Sequence, residues 1–173
     1  MSPSLLDLET QLAFYKAYHN NTGNVLIHSI FVPTILFTSM RILNDVKIWN
    51  GYTLTHLLAL SFGLFYILLR VGTGILASLI LALTCKFLND GTIKMTQTTA
   101  WILFVISWIF QFIGHGVFEK RKPALLDNLV QSLVLAPYFI LYELLFILGF
   151  MPELKKNLQA RVDKELDRMR ASK

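Results

Sequence analysis

The sequence has little charge and only one cysteine, and each scarcity narrows what the protein can be. Only 16% of its 173 residues are Asp, Glu, Lys or Arg, and 54% are hydrophobic. A soluble domain of this length has too much surface to carry so much apolar area. The lone Cys85 excludes an intramolecular disulfide and a CxxC metal motif, and we expect it to be a small buried residue. The composition therefore predicts an integral membrane protein.

Positive charge exceeds negative charge, with 16 Lys and Arg residues against 11 Asp and Glu residues. Much of the excess lies in the segment 155–173, a pattern typical of anchoring beside anionic membrane lipids. We do not expect nucleic acid as a partner, because no basic-aromatic surface or known binding motif accompanies the charge. The first residues lack the basic region and apolar core of a signal peptide, so no cleavable signal is predicted.

Hydrophobic periodicity predicts an all-α, multi-pass integral membrane bundle of four or five helices in a single domain, 1–173. An amphipathic helix is expected over 4–19, with Ser4 as its N-cap. Membrane helices are expected within 25–150, followed by a charged helical tail over 153–173. The apolar runs are 25–43, 52–69, 71–88, 98–118 and 129–150, with polar loops at 41–51 and 89–96. Pro137 and Glu143 interrupt the last run, so spanning and re-entrant arrangements both stay open, and with them the orientation.

Counting spans along the chain indicates which of the four histidines can meet. His19 and His28 lie near the start of the first run, and His115 lies near the end of the fourth. All three are therefore expected at one membrane face, while His56 is expected near the other face. A lone histidine in a membrane helix more often bonds a neighbouring helix than binds a metal, and that structural role is favoured for His56. Three histidines at one face favour a shared functional site.

Three imidazoles suit one iron or zinc ion with coordination positions left open for substrate and oxygen. Oxygen chemistry favours iron, because dioxygen reacts poorly with closed-shell organic groups. Glu119 lies four residues after His115 and is a weaker candidate ligand, with membership of the charged loop predicted over 119–128 as the alternative. Lys120 and Arg121 are weak candidates for attracting a substrate carboxylate, with lipid headgroup anchoring as the alternative. The glycines that flank His115 have no side chains, so we expect a metal, oxygen or substrate to approach the backbone closely there.

Four motifs contain or follow these histidines: Tyr18-His19-Asn20, residues 24–33 (NVLIHSIFVP), residues 108–119 (WIFQFIGHGVFE) and residues 122–125 (KPAL). With these motifs the chain resembles the fungal 2-hydroxy fatty acid dioxygenase family, over about residues 5–154. The members of that family are small multi-pass proteins of the endoplasmic reticulum membrane.

The resemblance implies an iron(II)-dependent dioxygenase of fatty acid α-oxidation. It would use O2 to convert a long-chain 2-hydroxy fatty acid to the acid one carbon shorter, in the degradation of phytosphingosine. The resemblance implies that His19, His28 and His115 are the catalytic, metal-binding residues. The residues alone leave two alternatives open: a non-catalytic lipid-binding or scaffold protein, and a bis-histidine haem protein.

Overall fold

A computed structural model describes residues 5–120 and 131–171, and it confirms the all-α prediction. The helices are α1 (Leu8–Tyr18), α2 (Thr22–Asn44), α3 (Leu54–Leu69), α4 (Val71–Asn89), α5 (Gln97–Ile113), α6 (Ala136–Ile147) and α7 (Pro152–Ala171). Two π-helical segments, Gly114–Glu119 and Gln131–Leu135, directly follow α5 and precede α6. A short antiparallel pair of strands, β1 (Lys47–Trp49) and β2 (Tyr52–Thr53), precedes α3.

Helices correspond to all five predicted apolar runs, and three of them are long and apolar enough to cross a membrane. These three are Thr22–Asn44, Val71–Asn89 and Gln97–Glu119. The apolar helices Leu54–Leu69 and Leu133–Ile147 are shorter. At 1.5 Å per residue, the first of these is about 24 Å long, less than a hydrocarbon core of about 30 Å. The structure therefore supports a membrane protein, and the predicted total of four or five spans stays a prediction.

The N-terminal helix begins later than predicted. Asp7, rather than Ser4, is the N-cap of α1, and its carboxylate accepts hydrogen bonds from the N–H (3.3 Å) and hydroxyl (2.6 Å) of Thr10. The hydroxyl bond holds the pKa of Asp7 below its usual range. Aspartate is as good an N-cap as serine, and here it gains a second bond from the threonine three residues on.

The chain forms two compact units: Met1–Ser29 with Phe112–Lys173, and Ile30–Gln111. Helices α2 and α5 have residues in both. His19, His28 and His115 all belong to the first unit, and His56 belongs to the second. The prediction of a single domain over 1–173 stays a prediction.

In the first unit, α1 packs against α7 and α6. The predicted charged tail is the helix α7, and it buries Leu154, Leu158 and Val162. Two ion pairs also hold α1: Glu9 to Arg161 of α7 at 2.9 Å, and Lys16 to Glu143 of α6 at 2.7 Å. The predicted amphipathic helix is thus fixed on two sides by the C-terminal part of the chain.

In the second unit, α3 and α4 form a helical hairpin with Arg70 between them. The hydroxyl of Ser78 donates to the backbone oxygens of Gly63 (3.1 Å) and Gly74 (2.7 Å). The strand pair replaces part of the polar loop predicted over 41–51, so that prediction was wrong there. The missed signal was Asn50-Gly51, whose positive φ angles of 45° and 85° suit a tight hairpin turn.

Candidate metal centre

The structure brings three of the four histidines together, as span counting predicted. The ring centroid of His19 lies 4.2 Å from that of His28 and 4.9 Å from that of His115, and the last two lie 4.8 Å apart. All three residues are buried, with exposed fractions of 8%, 4% and 5%. One ring nitrogen from each can be chosen so that all lie within 4.8 Å of one another. We call this group the histidine cluster.

His19 is held by the end of α1. It is the C-cap residue, and its backbone N–H donates to the carbonyl oxygens of Tyr15 and Lys16, each at 3.1 Å. Its ring Nδ1 lies 2.8 Å from the carbonyl oxygen of Tyr15, and the two rings stack with centroids 4.0 Å apart. The end of the helix thus fixes both the backbone and the ring of His19.

His28 is held in the same way by the first turns of α2. Its Nδ1 lies 3.0 Å from the carbonyl oxygen of Asn24, four residues earlier. A carbonyl oxygen only accepts hydrogen bonds, so Nδ1 carries the hydrogen in both His28 and His19. Each neutral ring then keeps a lone pair on Nε2, the form in which histidine binds a metal.

His115 lies in the π-helical segment Gly114–Glu119. Such segments are rare and occur frequently at functional sites. Within the described part of the chain, the buried Nδ1 of His115 has no hydrogen-bond partner. An unpartnered buried nitrogen is costly, and a bound ion or ligand would satisfy it.

The environment of His19 favours the neutral ring. Burial lowers its pKa well below the usual range, and the neighbouring His28 and His115 lower it further. A neutral imidazole is a metal ligand and a protonated one is not.

The donor set fits a single ion. Nitrogens bound to one ion at about 2.1 Å lie at most about 4.2 Å apart, so small side-chain movements close the cluster on a metal. Three imidazoles suit zinc, copper, iron and nickel alike. A haem between two of these rings does not fit, because ring centroids at 4.2–4.9 Å leave no room for a macrocycle between them.

Glu119 ties the π-helical segment to the start of α2. Its Oε1 accepts hydrogen bonds from the backbone N–H of Asn21 (2.8 Å) and from Nδ2 of Asn24 (3.2 Å). Among the residues that the structure describes, the possible metal ligands that lie together are the three histidines, so Glu119 lies beside the cluster as a support. Its role as a ligand stays a prediction.

The other predicted residues are Lys120, Arg121 and His56. Lys120 is exposed, has a left-handed backbone (φ 51°), and immediately follows the π-helical segment. Arg121 lies outside the described residues. His56 accepts a hydrogen bond at Nδ1 from the backbone N–H of Thr53 (3.1 Å), which gives it a structural role at the start of α3.

Asn24 is the main residue near the cluster that sequence reasoning missed. It is fully buried, and it contacts both His28, through its carbonyl, and Glu119, through its amide. A side chain on Gly114 would overlap Oδ1 of Asn24 and lie 3.5 Å from Cε1 of His28, whereas one on Gly116 would meet nothing within 4 Å. The available signal was an asparagine one helical turn before a histidine. Of the two glycines, Gly114 is the one that a close approach requires.

The chain matches a family model and a curated protein over most of its length. The family model described as "2-hydroxy-palmitic acid dioxygenase Mpo1-like" matches residues 5–148. The 2-hydroxy-palmitic acid dioxygenase MPO1 of Saccharomyces cerevisiae is 58% identical to the chain over 159 residues, which cover 92% of the chain and 91% of the yeast protein. No solved structure matches the chain.

Proposed function

Because this chain belongs to the 2-hydroxy-palmitic acid dioxygenase Mpo1-like family, we propose that it is an iron(II)-dependent dioxygenase acting on long-chain 2-hydroxy fatty acids. The product is the fatty acid one carbon shorter. With O2 as the only oxidant, the reaction balances when C1 leaves as carbon dioxide together with one water. We place this activity in the endoplasmic reticulum membrane and in the breakdown of phytosphingosine.

The observation that carries the proposal is the histidine cluster. Its members are buried, they lie within 4.8 Å of one another through one nitrogen each, and backbone carbonyls orient two of them. His19, His28 and His115 would hold the metal. Bound iron(II) would supply the redox chemistry that allows O2 to react with the organic acid.

The protein around the cluster orients its rings and, because all three histidines are buried, keeps water away from them. Tyr15 and Asn24 hold the rings of His19 and His28, and a ligand held by the cluster would be kept in a fixed orientation. We propose that the acyl chain lies among the apolar helices. The exposed Lys120 directly follows the π-helical segment that contains His115, and it is suited to attract the substrate carboxylate.

The proposal is tested by incubating the purified full-length protein with iron(II), O2 and 2-hydroxyhexadecanoic acid. We expect pentadecanoic acid to form, and we expect no product without O2 or after removal of metal by a chelator. His115→Ala should abolish turnover, while the matched variant His56→Ala should retain it because His56 caps α3. Full activity of His115→Ala would contradict the proposal.

A further inference from the structure

We propose that Asn24 is a substrate-binding residue whose side-chain oxygen accepts a hydrogen bond from the 2-hydroxyl group of the fatty acid. This inference rests on the proposed function, and it names the contact by which the site distinguishes a 2-hydroxy acid from an ordinary fatty acid.

The orientation of the Asn24 amide is fixed. Its Nδ2 lies 3.2 Å from Oε1 of Glu119. A carboxylate accepts hydrogen bonds and does not donate them, so the NH2 group must face Glu119. The opposite end of the amide therefore presents an oxygen, which is an acceptor only.

That oxygen has no partner. Oδ1 of Asn24 is buried and makes no hydrogen bond to any residue that the structure describes, and the residue as a whole is 0% exposed. A buried acceptor without a donor destabilises a fold, so such an atom is a sign of a missing ligand or water.

The oxygen lies at the edge of the histidine cluster. A Cβ atom built on Gly114 would overlap Oδ1 of Asn24 and stand 3.5 Å from Cε1 of His28, the ring carbon between Nδ1 and Nε2. Gly114 is also the neighbour of His115 in the chain. A group bound at the cluster is therefore within reach of Oδ1.

The chemistry of the missing partner follows from the acceptor. A carboxylate has no hydrogen to donate, whereas the 2-hydroxyl group has one donor hydrogen and two oxygen lone pairs. The hydroxyl can donate to Asn24 while its oxygen stays available to the cluster. An unsubstituted fatty acid leaves Oδ1 unpaired and desolvated, and sites built to bond a hydroxyl reject analogues that lack it.

Ligand binding in the absence of O2 tests the inference separately from turnover. Affinities for 2-hydroxyhexadecanoic acid and hexadecanoic acid are measured on the full chain in lipid nanodiscs. We expect the wild-type protein to prefer the hydroxy acid by about 100-fold and Asn24→Ala to lower that preference at least about tenfold, with unchanged affinity for hexadecanoic acid.

Matched variants separate the effect of losing the acceptor from the effect of changing the packing. Asn24→Leu keeps the branched shape of the side chain without an acceptor and should behave as Asn24→Ala does. In the double variant Asn24→Asp with Glu119→Gln, the glutamine amide donates to one oxygen of the aspartate, and the other oxygen is an acceptor facing the cluster. This variant should regain the preference for the hydroxy acid. Asn89→Ala, which removes an exposed asparagine at the end of α4, should match the wild type.

Two results would overturn the inference. One is an unchanged preference in both Asn24→Ala and Asn24→Leu. The other is loss of bound iron in these variants, which would show that Asn24 supports the metal site rather than binding the substrate. If the wild-type protein converts the hydroxy acid while either result is found, the proposed function stands and only the inference fails. If no conversion occurs in the wild type, the proposed function fails.

Discussion

Lys16 and Glu143 form an ion pair, with Nζ 2.7 Å from Oε1, that joins α1 to α6 in the unit holding the histidine cluster. The side chains are only 27% and 18% exposed. The carbonyl of Lys16 also accepts the backbone N–H of His19. The pair therefore stabilises the end of the helix from which His19 extends.

We expect Glu143→Gln or Lys16→Met to destabilise the protein by about 1–3 kcal/mol, between the values typical of exposed and buried pairs. Thermal unfolding in detergent measures the change. Replacing both residues by apolar ones should cost less than either single change, because no unpaired charge is left. The exposed pair Lys86–Asp90 provides the control, and its loss should change stability less. Equal effects at the two pairs would contradict a special role for Lys16 and Glu143.

Single replacements in the histidine cluster should remove the metal. We expect His19→Ala, His28→Ala and His115→Ala each to lose stoichiometric iron, measured by elemental analysis of the purified protein, because two imidazoles hold an ion far less tightly than three. His56→Ala should keep its iron. A scaffold protein without a metal would show no stoichiometric iron in the wild type either, so the same measurement decides between these two functions.

The two glycines beside His115 should respond differently to alanine. Gly114→Ala must displace the buried amide of Asn24, and we expect a loss of about 1–3 kcal/mol in unfolding free energy. Gly116→Ala meets nothing within 4 Å and should be neutral or slightly stabilising. Thermal unfolding of the two variants side by side checks the difference. A destabilised Gly116→Ala with an intact Gly114→Ala would show that the packing of the π-helical segment is not as described.

A second glycine pair tests the α3–α4 hairpin. A Cβ atom on Gly74 would overlap the carbonyl oxygen of Tyr66 and lie 2.5 Å from the backbone N and Cα of Ile67, and backbone atoms cannot move aside as a side chain can. We expect Gly74→Ala to lower stability by about 1–3 kcal/mol or more. Gly72→Ala faces open space and should gain up to about 1 kcal/mol from helix propensity. Unfolding in increasing denaturant compares them.

The positions of the helices could be predicted because an apolar run is a local property of the sequence, formed by residues that are neighbours in the chain. The same runs, counted as spans, also predicted that His19, His28 and His115 meet while His56 does not join them. The predicted start of α1 was less accurate, because serine and aspartate both cap helices and the sequence offers Ser4 and Asp7 within one turn.

Only the tertiary structure decided what surrounds the histidines. The bond from Asn24 to Glu119 joins residues 95 positions apart, and the ion pair from Lys16 to Glu143 joins residues 127 positions apart. No local period reports such contacts, because they depend on how distant helices pack. The amino-acid sequence by itself predicted a helical membrane protein in which three of the four histidines meet. Packing determined which nitrogen His19 and His28 present to the cluster, which oxygen stays unpaired, and why position 114 has no room for a side chain.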